Sequence, residues 1–240
     1  MGMKTDEKFI IKGKRLDGRK PDELRKIEMK VGVIPNANGS AQVSFGNTTA
    51  IAAVYGPREL FPKHLQNPDT AVLRCRYNMA PFSVDERASP GTSRRSVEIS
   101  KVTRLALEPA LFLRDYPETG VGVYIEVIEA DGSTRVTGIN AASLALADAG
   151  VPMKDLVVAV SGGKINDTLI LDLCGREDNY SDADMPVAFM PRKKQITLLQ
   201  MDGELTPKEI KEIIKNVLKA GQVIYEKQKK TLKEKYEEVS

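Results

Sequence analysis

The sequence predicts an α+β fold, with mixed sheets layered with helices and a long C-terminal helix. Three features predict it: apolar residues alternating at period two, two helical stripes set among those runs, and a capped amphipathic segment at the end. No fixed repeat and no Gly/Ser/Pro-rich linker divides the 240 residues. One domain over 1–240 is therefore expected, with 1–20 as an N-terminal extension and 206–238 as the final helix.

The elements follow in order. KIEMKVG puts Ile27, Met29 and Val31 on one face and Lys26, Glu28 and Lys30 on the other, which is a half-buried strand. After the turn signal NANGS, Ala41, Val43 and Phe45 repeat the alternation. TAIAAVYG is apolar on both faces, as a central strand is, and Pro57 is expected to end it. AVLRCRY (71–77) sets Leu73, Cys75 and Tyr77 on one face. From Ser96 to Asp115, the residues Val102, Leu105, Ala106, Ala110 and Leu113 make a helical stripe, which Pro109 should kink or break. Val121, Val123, Ile125 and Val127 alternate again and lead through the loop GSTR into a second helix, INAASLALADAG. Gly150 suits its C-terminal cap and Pro152 blocks continuation. Two apolar runs around Asn166–Asp167 read as a hairpin. PVAFMP and QITLLQM supply two more strands. In the last helix Thr206 caps, Pro207 opens the first turn, and Glu209 completes a capping box. Ile210, Ile213, Ile214, Val217, Leu218 and Ile224 hold one face of it.

Composition narrows the function. An apolar content of 41% is too high for a disordered chain. No run approaches the about 18 apolar residues a membrane helix needs, and the start lacks an apolar signal core, so a cytoplasmic, membrane-free protein is expected. Cys75 and Cys174 lack metal spacing and read as buried thiols. A net charge of +3 excludes a general polycation, so any nucleic acid would meet local patches such as KGKRLDGRK (12–20) and Arg94–Arg95. The alternating charges of KEIKEIIKNVLK read as the solvated face of a helix.

There is no P-loop and no GxSxG elbow, and nothing around the single histidine, His64, suggests a nucleophile triad. SGGK (161–164) reads as strand continuing into the hairpin. DGSTR (131–135) is more informative. Gly132, Ser133, Thr134 and Arg135 precede a helix, whose first N–H groups and dipole favour an anion, and arginine adds a fork matched to phosphate. The plain alternative is a turn with a capping hydroxyl. Arg94 and Arg95, on a loop of small residues before a helix, suit phosphodiester contact; the alternative is an ion pair with Glu98. Arg58 and His64 flank another strand end and are candidates to steer the same nucleic acid. EDNYSDADMP packs Glu177, Asp178, Asp182 and Asp184 into ten residues. Asp178 and Asp184 are expected at the two ends of a loop joining strands, where both carboxylates meet. They would act as a proton donor or as a Mg2+ site, and the sequence leaves both readings open.

RLDGRKPDELRKI, YGPRE, SRR before a helix, DGSTR and EDNYSDADMPVA together resemble, in order and over the whole chain, the RNase PH family of phosphorolytic exoribonucleases. Within it the wording is most similar to the catalytic subunits of archaeal exosome rings. The resemblance implies an RNase PH-type domain, related to the second domain of ribosomal protein S5. It implies inorganic phosphate as co-substrate, with Mg2+, and release of nucleoside 5′-diphosphates from single-stranded RNA 3′ ends, reversible as 3′ tailing. It implies a hexameric ring of three heterodimers with a related inactive subunit, bearing RNA-binding cap subunits. Carried over, Arg135 grips phosphate with Gly132, Ser133 and Thr134; Asp184 is the general acid or metal ligand with Asp178 beside it; Arg94 and Arg95 hold the RNA. The loop departs from the family's common wording by reading Gly-Ser-Thr-Arg, yet keeps the arginine. Two alternatives remain: a homohexameric enzyme trimming tRNA 3′ ends, or a silent RNA-binding ring subunit. The presence of Arg135, Asp178 and Asp184 argues against the second.

Overall fold

The computed structural model describes residues 8–85 and 89–237. A small ribbon of β1 (Ile10–Ile11) and β2 (Lys14–Arg15) precedes the first sheet. That sheet holds β3 (Ile27–Val31), β4 (Gly39–Phe45), β5 (Thr48–Glu59), β6 (Val72–Met79) and β7 (Thr119–Glu129), in the order β3-β4-β5-β7-β6. All its pairings are antiparallel except β6 with β7. TAIAAVYG is central, as its two apolar faces predict. Pro57 does not end it: the β5–β7 register shifts between Tyr55 and Arg58, and the strand runs on to Glu59. The proline sits in a bulge, where no ladder hydrogen bond is asked of it.

Helix α1 (Arg94–Leu107) lies between β6 and β7 in sequence. It is shorter than the expected 96–115 and starts earlier. Ser93 and Ser96 form a reciprocal cap at its start. Pro109 stops it, leaving only 3₁₀ turns at Glu108–Ala110 and Leu113–Asp115. Its buried stripe is Ile99, Thr103 and Ala106, while Leu105, expected inside, is 45% exposed.

Helix α2 (Thr134–Asp148) is apolar nearly all round because it is wedged between both sheets, touching β4, β5 and β7 on one side. Contact with β4 is backbone to backbone: a Cβ on Gly39 would lie 2.1 Å from Ala149 N. Gly39→Ala should therefore lower stability by about 1–3 kcal/mol, read as a shift in the urea midpoint at constant slope.

The second sheet takes β8 (Val158–Ile165), β9 (Thr168–Leu171), β10 (Ala183–Met190), β11 (Gln195–Leu199) and β12 (Asp202–Gly203). Its order is β11-β10-β8-β9, with β12 on β10. Asn166 and Asp167 both adopt left-handed conformations and close the β8–β9 hairpin as expected. SGGK is part of β8. A six-residue helix that the sequence did not suggest, α3 (Gly175–Tyr180), joins β9 to β10. The final helix α4 (Pro207–Glu237) has the anticipated box: Thr206 N donates to Glu209 Oε2 (2.7 Å) and Glu209 N to Thr206 Oγ1 (3.3 Å). One hydrophobic cluster runs through both sheets, α2 and α4, including Val43, Ile139, Val160, Phe189 and Val217.

Both cysteines are free and half-buried, and burial pushes Cys75 up to about 12 and Cys174 up to about 11, which keeps them as inert thiols. Among the described residues, no helix is long and apolar enough to cross a membrane.

Candidate active site

β7 ends at Glu129, and the chain turns into α2 through Asp131, Gly132 and Ser133. Gly132 has φ +75°, and a Cβ there would lie 2.6 Å from the Cys174 carbonyl carbon, so only glycine lets the two segments touch. Ser133 takes the left-handed position before the helix but caps nothing. Its hydroxyl donates to Leu173 O (2.8 Å) and lies 2.7 Å from Ser161 Oγ. The hydroxyl is thus engaged within the fold and does not cap the helix, so the capping alternative does not hold. The helix begins at Thr134, so Thr134 and Arg135 stand in its first turn rather than before it. The earliest backbone bond of this turn is Thr137 N to Ser133 O (3.2 Å). The N–H groups of Thr134, Arg135 and Val136 thus have no intrahelical partner and face the dipole's positive end.

Arg135 is half-buried. Its Nη2 donates to Glu98 Oε1 (3.3 Å), an oxygen that also receives Gln200 Nε2 (3.3 Å), while its buried Nε has no protein partner. An ion pair between Glu98 and the arginines at 94–95 was the alternative to a phosphodiester contact there. The structure pairs it with Arg135 instead, because α1 and α2 present these side chains to one cleft.

The acidic run divides its labour. Glu177 is buried, takes both arms of Arg15, and caps Cys174 N (2.9 Å). Asp178 sits on α3 and Asp184 on β10, so they flank a helix–strand junction and not the ends of a plain loop. Burial raises the Asp178 carboxyl, against the pull of Arg95, Arg135 and Arg25. Burial, then the charge of Asp178, pushes Asp184 up to about 7, with Arg135 and Arg95 opposing. Among the described residues no hydrogen bond is a cause of either shift.

These groups line a cleft of about 500 Å³ shared by Arg95, Ser133, Thr134, Arg135, Asp178 and Asp184. Asp182 and Asp202 add negative charge at its wall, and Glu98, Ser161 and Asn179 complete it. Arg94 and Arg95 lie in the first turn of α1 and not on a loop; successive helical residues diverge, and only Arg95 reaches the cleft. Arg58 pairs across from Gly120 at the opposite end of β7, roughly 30 Å along the strand from the phosphate loop by its rise per residue. His64 is exposed on a 3₁₀ turn beyond β5.

In the basic segment 12–20 the two arginines are engaged within the fold, while Lys12, Lys14 and Lys20 are exposed. Arg15 is buried with its guanidinium on Glu177 and on the Leu171 and Asp172 carbonyls. Arg19 pairs with Asp17 (2.6 Å) and Asp172 (3.5 Å). Charge alone did not reveal that the partners lay about 155 residues away, in the acidic half of the site.

Arg135, the first turn of α2 and the two raised carboxyls of Asp178 and Asp184 thus share one cleft. The chain matches the 3′ exoribonuclease family, domain 1 over residues 23–152 and domain 2 over 155–220, and it belongs to this RNase PH family. It is 63% identical over 224 residues to the exosome complex component Rrp41 of Pyrococcus furiosus, covering 93% of this chain and 90% of that one. It is 54% identical over 224 residues to Rrp41 of Methanopyrus kandleri, covering 93% and 94%. Among solved structures it resembles rice Rrp46, with a TM-score of 0.82 and 27% identity over 91% of this chain and 100% of the other. It also resembles the Archaeoglobus fulgidus exosome with RNA bound to the active site, with a TM-score of 0.78 and 25% identity over 89% and 92%. The chain is a phosphorolytic 3′-to-5′ exoribonuclease of the exosome type: phosphate is the co-substrate, and the reaction is phosphorolysis and not hydrolysis.

Proposed function

We propose that Arg135 and the first turn of α2 bind the attacking phosphate, and that Asp184 protonates the leaving 3′ oxygen. The observation that carries this reading is their convergence: Arg135 and Asp184 line one cleft closely enough for the charge of the first to act on the second. A phosphate oxygen attacks the last phosphodiester and forms a new P–O bond. The bond to the 3′ oxygen of the penultimate nucleotide breaks, and Asp184 gives that oxygen its proton. The products are a nucleoside 5′-diphosphate and RNA one residue shorter. Phosphate displaces Glu98 from Arg135 on entry. Asp178, ionised more readily than Asp184, keeps the proton on its neighbour. The arginines supply charge and position, which is most of what phosphoryl transfer asks of a protein.

Arg95 holds the RNA backbone beside the terminal residue, with Arg94 flanking it. Arg58 and His64, far along β7, meet RNA upstream of its 3′ end. Contacts of this kind read charge and not bases, so sequence preference is low. Among the described residues no three histidine, cysteine or carboxylate side chains converge on one point. A Mg2+ held by Asp178 and Asp184 would take its remaining ligands from phosphate and water, which is how this ion usually binds beside a phosphoryl group, and it would offset the repulsion between those acids and the phosphate. We further place the chain in a cytoplasmic hexameric ring, alternating with a related inactive subunit beneath RNA-binding caps. The similarity to exosome components supports membership of such an assembly.

Phosphorolysis conserves the anhydride-forming bond in its product and so runs backwards. Incubating the chain, in its ring, with oligo(A) and excess ADP at low phosphate should extend the RNA 3′ end, as seen on a denaturing gel. No extension under conditions where degradation proceeds would remove the phosphate-as-nucleophile reading.

A further inference from the structure

We propose that Asp131 is a positioning residue: it fixes helix α3, which carries Asp178 and leads into the Asp184 strand β10, to the loop before α2, and Arg25 holds it in place. This rests on the roles given above to Arg135 and Asp184.

Helix α3 has six residues, too few to hold its own shape. Its opening N–H, on Gly175, would be an orphan, but Asp131 Oδ1 accepts it at 2.9 Å. Asp131 belongs to the turn that also carries Gly132 and Ser133. Its own N–H donates to Thr48 Oγ1 (2.9 Å), and that hydroxyl donates to Gly132 O (2.8 Å). Arg25 Nη1 donates to Asp131 O (2.6 Å), while Nε and Nη2 grip Asp172 at 3.0 and 2.7 Å. Burial opposes the Arg25 charge, and Asp172 more than restores it.

Apart from the Asp131 carboxylate, the two segments meet at glycines. A Cβ on Gly175 would lie 2.9 Å from Asp131 Oδ1, and one on Gly132 would lie 2.7 Å from Gly175 N. Any displacement of one segment therefore passes to the other. Asp178 lies one helical turn beyond Gly175. In the same helix Arg15 grips Glu177, whose carboxylate also accepts from Cys174 N, so the start of α3 has a second anchor. Arg15, from the basic segment 12–20, and Arg25 both serve this clamp. Asp131 itself does not line the cleft, which sets it apart from the groups that touch substrate.

The test compares Asp131→Ala with Asp131→Asn in the full chain within its active ring. Asparagine keeps an acceptor for Gly175 N and is as good a helix cap as aspartate. The Ala variant should lose about 10–100-fold in kcat, as misplacement on the order of 1 Å does. Its KM for phosphate should rise while RNA affinity and Tm stay near those of the parent. The Asn variant should recover most of the rate. Unchanged kcat in Ala, or an Asn variant as slow as Ala, overturns the proposal. If the Ala chain does not fold, Asn is compared with Asp131→Glu, which moves the acceptor by one methylene; equal rates in that pair overturn it too. Arg135→Gln runs alongside. A fully active Arg135→Gln enzyme means that the reading of the site itself has failed, whereas its loss together with a normal Asp131→Ala enzyme rejects only the clamp.

Discussion

Arg135→Gln is expected to lower kcat/KM for phosphate by on the order of 10²–10³-fold, the usual loss when one preorganised donor to a reacting anion is removed. Glutamine keeps reach and one donor but loses both the charge and the planar fork. The effect should fall on phosphate, because Arg95 remains to hold RNA. Arg135→Lys should lie between the two, since it restores charge without bidentate geometry. Initial rates across a phosphate titration at saturating RNA check this. A phosphate KM unchanged in Arg135→Gln would place the phosphate elsewhere.

Asp184→Asn should lower kcat by about 10²–10⁴-fold, the worth of a positioned proton donor, and leave RNA binding intact. The parent enzyme carries a second signature. With Asp184 at about 7, kcat/KM should fall with rising pH above neutrality, and Asp184→Asn should flatten that limb. Bound phosphate repels the carboxylate further, so the limb for kcat should lie at higher pH than the limb for kcat/KM. The same shift has a consequence for stability. Between the unfolded carboxyl near 3.8 and the folded one near 7, the native state holds a proton that the unfolded chain releases. Stability from this group is therefore lost as pH rises through that window. Asp184→Asn should raise Tm at pH 8 and make no difference at pH 3.5. Equal loss of binding and activity in the variant would mean a structural aspartate.

Much of this architecture was written locally. Thr206, Pro207 and Glu209 carry their cap within four residues, and Asn166–Asp167 carry their turn within two, so both were legible. That DGSTR leads into a helix was legible for the same reason, since its glycine and hydroxyls stand directly before the apolar run. Helix α3 was not, because six residues span fewer than two turns and leave no period to read. The fates of Arg15 and Arg25 were hidden as well, since their partners Glu177 and Asp172 lie far along the chain and charge looks the same whether buried or solvated. Pro57 misled because a strand tolerates proline at a bulge, which only the partner strand's register discloses. Asp178 and Asp184 were picked out by their density, but the raised carboxyls, which come from desolvation and, for Asp184, the charge of Asp178, are a property of the packed sheet and helix.

The most direct measurement is the identity of the nucleotide released from oligo(A), with and without phosphate, by the chain in its ring. The account predicts ADP, appearing only when phosphate is present. AMP in both samples would make water the nucleophile and contradict the assignment of the α2 first turn and Arg135 as the phosphate site.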